Sequence, residues 1–155
     1  MLEEMKHVTT LRIRMPISVK NNPRNLINKL RGYKNILNVP NSVTFMKDLV
    51  RCVDWAIDSD KAGIFHITNP EPLTAVQIME EYQKYVPKHY WETITEDQLD
   101  NLTLAKRSNC ILNTDKLLAL GFEMTPSKEA LQECMIDYAK NLHEDLWEKQ
   151  CLIKT

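Results

Sequence analysis

Glycine is scarce in this sequence: Gly32, Gly63 and Gly121 are its only three, and no two are near each other. Neither GxGxxG nor GxxxxGK[ST] occurs, so the chain cannot by itself build the usual backbone cradle for a dinucleotide or a nucleoside triphosphate. Paired metal-ligand cysteines are missing too. Cys52, Cys110, Cys134 and Cys151 stand far apart with no CxxC, and no histidine lies three to five residues from another. A zinc site is therefore not expected, and no metal ligand is named. Cys52 and Cys134 fall on apolar stripes of predicted helices, where a free buried thiol is the usual outcome. No apolar run approaches the roughly 20 residues of a membrane helix. The opening MLEEMKH is acidic and has no apolar core, unlike a secretory signal. The expectation is a cytoplasmic protein without membrane contact.

Acidic residues are absent from a long stretch. Residues 5–47 hold nine Lys or Arg and no Asp or Glu, whereas residues 48–155 hold eleven against nineteen, so the net charge of −1 hides two opposite parts. This asymmetry points to an anionic partner for the first third, either phosphates of a small ligand or a nucleic-acid backbone. Acidic helices folded over the basic segment would explain it equally well. With 155 residues, 43% of them apolar and 26% charged, the chain is expected to form a single domain over 1–155 with a sizeable core.

Two strands are predicted with most force. Leu11, Ile13 and Met15 alternate with Arg12 and Arg14, and Pro16 closes the run. GIFHITN, residues 63–69, is almost continuously apolar up to Pro70. Before the first strand, Met1–His7 reads as the tail of a helix with no N-cap. After it, Asn22 as N-cap and Pro23 at N1 predict a short basic helix over 24–31, ended by Gly32. NILNVPNSVTF, residues 35–45, reads as a small hairpin or a strand and turn. A helix over 46–58, capped by Thr44, is expected to bury Leu49, Val50, Val53, Ala56 and Ile57. Capping boxes Thr74–Gln77 and Thr95–Gln98 open two more helices. Asn113 caps a turn over 114–120, and Thr125-Pro126 starts a last helix that turns Leu131, Met135, Tyr138, Leu142 and Trp147 inward. The expected class is α/β, mostly helical, with two strands of an incomplete sheet whose remainder is missing or comes from another chain. His66, mid-strand, is expected to be a satisfied sheet histidine rather than an acid or base, and the tryptophans are expected to pack.

Five ordered clusters carry a resemblance: Arg14-Met-Pro-Ile-Ser18, Asn22-Pro-Arg-Asn25, Asn38-Val-Pro-Asn-Ser42, Thr68-Asn-Pro70, and Arg107-Ser-Asn109 with Lys116-Leu117. From about Val8 to Tyr138 the chain resembles the C-terminal half of dTDP-4-dehydrorhamnose reductases. It is most similar to the bifunctional nucleotide-sugar 3,5-epimerase/4-reductases of rhamnose synthesis, in the extended short-chain dehydrogenase/reductase family. The resemblance implies a substrate domain whose Rossmann half, with the catalytic Tyr-x-x-x-Lys, lies outside this chain. Tyr33, Tyr82, Tyr85, Tyr90 and Tyr138 all lack a Lys four positions on, so no catalytic residue is expected here.

By the same resemblance Met15, Pro16, Ile17 and Ser18 would border the nicotinamide of NAD(P)H in the complete enzyme, with no cofactor held by this chain alone. Arg24, Asn25, Asn41, Ser42, Arg107 and Asn109 would approach a dTDP- or UDP-linked sugar, guanidinium groups suiting diphosphate and Asn and Ser suiting hydroxyls. The partners expected are a nucleotide sugar and a Rossmann half or a second copy. The leading expectation is the substrate-binding portion of an NAD(P)H-dependent 4-keto-6-deoxysugar reductase, inactive alone. A non-enzymatic module that binds a nucleotide sugar or completes a partner's sheet is the alternative, with nucleic-acid binding ranked below both.

Overall fold

The apolar alternation at Leu11 and Ile13 produces strand β1, Thr9–Ile13, and it pairs in parallel with β5, Gly63–Ile67, in the register Leu11 to Phe65 and Ile13 to Ile67. The computed structural model describes residues 7–104 and 108–152, with side chains described as far as 144. Met1–Lys6, on which most of the expected helix tail falls, and Arg107 lie outside the described residues.

Two further parallel pairs join β2, Pro16–Ile17, to β4, Thr44–Phe45, and β3, Asn35–Leu37, to β6, Glu92–Ile94. No hairpin forms over 35–45, because β3 and β4 belong to different pairs. The Pro40-Asn41-Ser42 segment is the crossing between them, and Asn41 makes an isolated antiparallel bridge with Leu73.

The helices are α1, Leu26–Leu30; α2, Met46–Asp58; α3, Ala75–Gln83; α4, Glu96–Leu102; α5, Asp115–Leu118; and α6, Ser127–Leu152. Both capping boxes form as the sequence predicts, at Thr74–Gln77 and Thr95–Gln98. α1 starts two residues later than the sequence predicts. Asn22 Oδ1 accepts from Arg24 N–H at 2.8 Å and its carbonyl accepts from Asn25 N–H, a local turn that delays the helix. Thr44 does not cap α2. Its hydroxyl donates to the Ile67 carbonyl at 2.5 Å and accepts from Arg14 N–H at 3.1 Å, tying the ends of β1, β4 and β5 together.

The expected buried stripe of α2 is corrected. Asp48 and Cys52 are its buried positions, while Val50, Val53 and Ile57 are exposed. The reason is a buried carboxylate with partners: Asp48 accepts from Arg51 Nη1 (2.5 Å), Asn69 Nδ2 (2.5 Å) and Thr125 Oγ1 (2.9 Å). Those bonds turn the helix so that polar Asp48 faces in.

The core has two parts. In the larger, α1, α3 and α6 enclose the β2–β4 pair and β3, with Ile17, Ile27, Ile36, Phe45, Ile78, Tyr82, Met135 and Tyr138 nearly inaccessible. Leu131, Met135, Tyr138 and Leu142 point inward from α6 as expected, and Trp147 lies outside the described side chains. The smaller part packs Leu49, Cys52 and Trp55 of α2 over Leu11, Phe65 and Ile67, with Leu117, Phe122 and Met124. Trp55 meets Phe65 edge-on at 6.1 Å and Phe122 at 5.4 Å, a packing role. No helix among the described residues is long and apolar enough to cross a membrane.

Candidate functional site

At the carboxyl end of β1 the chain kinks. Met15 adopts φ 44°, a left-handed conformation unusual for its side chain, and the kink carries the backbone from its pairing with β5 to the β2–β4 pair. Beside the kink opens a cavity of about 830 Å³, within the size range of small-molecule sites. Leu26, Leu30, Ile36, Leu37, Ile94 and Leu99 supply apolar walls, and Arg14, Lys29 and Lys34 line it with no Asp or Glu among the described lining residues.

Arg14 is held rather than loose. Its Nε and Nη2 donate to Asn41 Oδ1 at 3.3 and 2.7 Å, and Nη2 also donates to the Ser108 carbonyl at 2.6 Å. Asn41, buried, uses its Oδ1 for Cys110 N–H as well and donates from Nδ2 to Asn109 Oδ1 at 3.0 Å. Asn109 in turn donates to Glu96 Oε1, so one carboxylate stands behind the cationic wall. Glu96 does not itself line the cavity.

The residues named from sequence separate into three groups. Met15, Asn41 and Asn109 line the cavity. Asn25 and Ser42 are buried and committed to backbone. Asn25 brackets the loop after β2 through Ser18 N–H (3.2 Å), Ser18 O (2.6 Å) and Lys20 O (2.9 Å), and Ser42 Oγ accepts from Leu112 N–H (2.9 Å). Ile17 is enclosed in the core, Ser18 is taken up by the Asn25 loop, and Pro16 and Arg24 are exposed away from the cavity lining. Arg107 lies outside the described residues. Sequence reading did not name Arg14, Lys29, Tyr33, Lys34 or Ser108 as site residues, although Arg14 stood in the first cluster of the resemblance and the lysines lay in the acid-free stretch. Their convergence depends on α1 folding beside the kink.

His66 is engaged on both nitrogens. Nδ1 lies 2.9 Å from the Asn113 carbonyl and Nε2 lies 3.2 Å from Arg12 Nη1, so both ring nitrogens already have partners within the fold. Among the described residues no group of three His, Cys, Asp or Glu could hold a metal ion.

No family model matches the chain. Among curated proteins, it is 35% identical over 133 residues to the Arabidopsis thaliana trifunctional UDP-glucose 4,6-dehydratase/UDP-4-keto-6-deoxy-D-glucose 3,5-epimerase/UDP-4-keto-L-rhamnose-reductase RHM1, covering 84% of this chain and 20% of that protein. It is 34% identical over 133 residues to the Arabidopsis thaliana bifunctional dTDP-4-dehydrorhamnose 3,5-epimerase/dTDP-4-dehydrorhamnose reductase, covering 84% of this chain and 44% of that protein. The crystal structure of the L780 UDP-rhamnose synthase of Acanthamoeba polyphaga mimivirus superposes with a TM-score of 0.76 at 31% identity, over 82% of this chain and 45% of that one. The chain is homologous to the C-terminal regions of rhamnose synthases and dTDP-4-dehydrorhamnose reductases. It spans a fifth to under half of these relatives' length. Its fold is also that of the Bacillus anthracis dTDP-4-dehydrorhamnose reductase solved with NADP, at a TM-score of 0.66 and 16% identity over 83% of this chain and 48% of that one. The extended short-chain dehydrogenase/reductase fold is thus present here in part.

The residues present do not fit a whole dinucleotide. Of the four named for the nicotinamide Met15 lines the cavity, and of the three glycines Gly32 does, past the C-terminal end of a five-residue helix with its N–H already donated to the Lys29 carbonyl.

Proposed function

We propose that this chain is the nucleotide-sugar-binding portion of an NAD(P)H-dependent reductase acting on a dTDP- or UDP-linked 4-keto-6-deoxysugar, in rhamnose synthesis. The observation that carries the reading is the 830 Å³ cavity beside the Met15 kink, lined by Arg14, Lys29 and Lys34 with apolar side chains between them. A nucleotide sugar needs this combination: cations for its diphosphate, apolar surface for a base and a deoxysugar methyl, and amide or carbonyl groups for hydroxyls. Arg14, Lys29 and Lys34 take the diphosphate, with Arg107 a further candidate; Asn41, Ser108 and Asn109 face the sugar. Asn25 and Ser42 act by holding the loops that carry those groups, and Arg24 stands outside the cavity.

Placement of the basic residues favours this reading over nucleic-acid binding. Arg12 goes to His66, Arg31 to Tyr138 and Lys47 to Glu133, while Arg14, Lys29 and Lys34 converge on the cavity. Among the described residues of the acid-free stretch that arrangement leaves Lys20 and Arg24 as further exposed cations, fewer than the stripe a phosphate backbone needs.

The chain holds no Tyr-x-x-x-Lys, so reduction belongs to a dinucleotide-binding half. The test is NADPH oxidation with a UDP-4-keto-6-deoxyhexose. No turnover is expected from the chain alone, together with a raised melting temperature when a UDP- or dTDP-sugar is added. Turnover by the chain alone, or no thermal shift with either sugar, overturns the reading.

A further inference from the structure

Arg14 is anchored without being neutralised. Among the described residues its guanidinium donates to two neutral oxygens, Asn41 Oδ1 and the Ser108 carbonyl, and to no carboxylate. Glu96 stands two side-chain amides away, at the far end of the series Arg14, Asn41, Asn109, Glu96.

Every bond in that series has one permitted direction. Arg14 and the Cys110 N–H only donate, so Asn41 turns Oδ1 to both of them. Its Nδ2 is then the group left to meet Asn109, which answers with Oδ1 at 3.0 Å. Asn109 consequently points Nδ2 the other way and needs an acceptor there. An ionised carboxylate only accepts, and Glu96 Oε1 fills the place. Donor-only groups at one end and an acceptor-only group at the other admit a single arrangement of the two amides between them.

The sequence brings Glu96 there by local means. Thr95 and Gln98 form the capping box that opens α4, which puts Glu96 in the first turn, and Glu96 itself is exposed. The same helix gives Leu99 to the cavity, and β6 before it gives Ile94. The 108–112 segment is tied to Asn41-Ser42 by Ser42 N–H to the Cys110 carbonyl (3.1 Å) and by Leu112 N–H to Ser42 Oγ (2.9 Å). The Asn109–Glu96 bond therefore joins the α4 wall of the cavity to the segment that accepts from Arg14.

We infer that Glu96 is a positioning residue, which locks the Asn109 and Asn41 amides so that Arg14 is held by neutral oxygens with its full charge left for an anionic group in the cavity. A carboxylate in direct contact would hold Arg14 as firmly and compete with that group. Acting through two amides, Glu96 supplies direction from a distance at which its own charge counts for less. The identity of the anion, a nucleotide-sugar diphosphate, rests on the proposed function; the orientation of Arg14 does not.

The experiment compares the full chain with its Glu96→Ala and Glu96→Gln variants, each with and without Arg14→Ala. Affinity is read by calorimetric titration with UDP-rhamnose or dTDP-rhamnose, whichever the wild type binds, and the Arg14 Nε–H is followed by heteronuclear NMR without sugar. Coulomb's law alone makes the loss of a nearby negative charge tighten the binding of an anion. Positioning has the opposite sign. Glu96→Ala is expected to weaken binding about three- to tenfold, the span of one net hydrogen bond, and Glu96→Gln, which keeps an acceptor oxygen, to retain most of the affinity. With Arg14→Ala already present, Glu96→Ala should change nothing further. In the sugar-free chain the Arg14 Nε–H should exchange faster with water in Glu96→Ala and stay slow in Glu96→Gln. Equal or tighter binding by Glu96→Ala, a weakening that persists without Arg14, a Glu96→Gln as weak as Glu96→Ala, or an Nε–H exchange rate that Glu96→Ala leaves unchanged overturns the inference. If the wild type binds neither sugar, the proposed function falls and the exchange rates alone decide the role of Glu96.

Discussion

Arg14 and Asn41, 27 residues apart, are joined by two hydrogen bonds to a single oxygen: Asn41 Oδ1 receives Arg14 Nε at 3.3 Å and Nη2 at 2.7 Å. The pair fixes a guanidinium at the carboxyl end of a parallel strand, where open α/β sheets place ligands. Replacing Asn41 by Ala leaves Arg14 with the Ser108 carbonyl as its remaining anchor and frees Cys110 N–H and Asn109. It should lower stability by about 1–3 kcal/mol and weaken nucleotide-sugar affinity together, measured by denaturant unfolding and by titration.

Asp48 should dominate the stability of the second core region. Asp48→Ala removes the acceptor for Asn69, Thr125 and Arg51 inside a buried site. The expected loss is about 3 kcal/mol in chemical denaturation. A loss below about 0.5 kcal/mol, typical of surface positions, would contradict the buried network.

The imidazole of His89 is pushed below its ordinary value of 6.5 by burial, with Arg31 adding to the effect; its Nε2 is buried without a partner. A lowered folded-state pKa means that the unfolded chain takes up the proton first as pH falls. The stability contributed by neutral His89 is therefore complete above about pH 6.5 and declines as pH drops through the window below it. Urea melts across pH 5 to 7.5 should show this slope in the wild type and a shallower one in His89→Gln.

Thiol reactivity should divide by position. Burial pushes Cys52 up to about 11 and Cys134, with Asp137 adding, up to about 12, while Cys110 is half-buried. Alkylation of the folded chain at pH 8, read by peptide mass spectrometry, should modify Cys110 well before Cys52 and Cys134.

Local signals were legible in the sequence. The Thr74 and Thr95 capping boxes, the Leu11–Ile13 alternation and the bounds of α2 follow from neighbouring residues, and the structure has each of them. The pairs β2–β4 and β3–β6 were not legible, because two- and three-residue strands carry no readable period. The inward face of α2 was misread because a buried Asp48 outweighed Val50 and Val53, and its partners Asn69 and Thr125 are distant in sequence. In the candidate site, Asn41 and Asn109 were identifiable through the resemblance. Lys29 and Lys34 were not, since only the packing of α1 beside the Met15 kink brings them to one cavity.

The central claim is most directly tested by calorimetric titration of the chain with UDP-rhamnose and dTDP-rhamnose, beside its Arg14→Ala variant and a Lys29→Ala/Lys34→Ala variant. Saturable 1:1 binding to at least one sugar is predicted, weakened about tenfold or more by Arg14→Ala and weakened further by added salt. Heats no greater than dilution for both sugars, or an affinity that neither variant changes, would contradict the account.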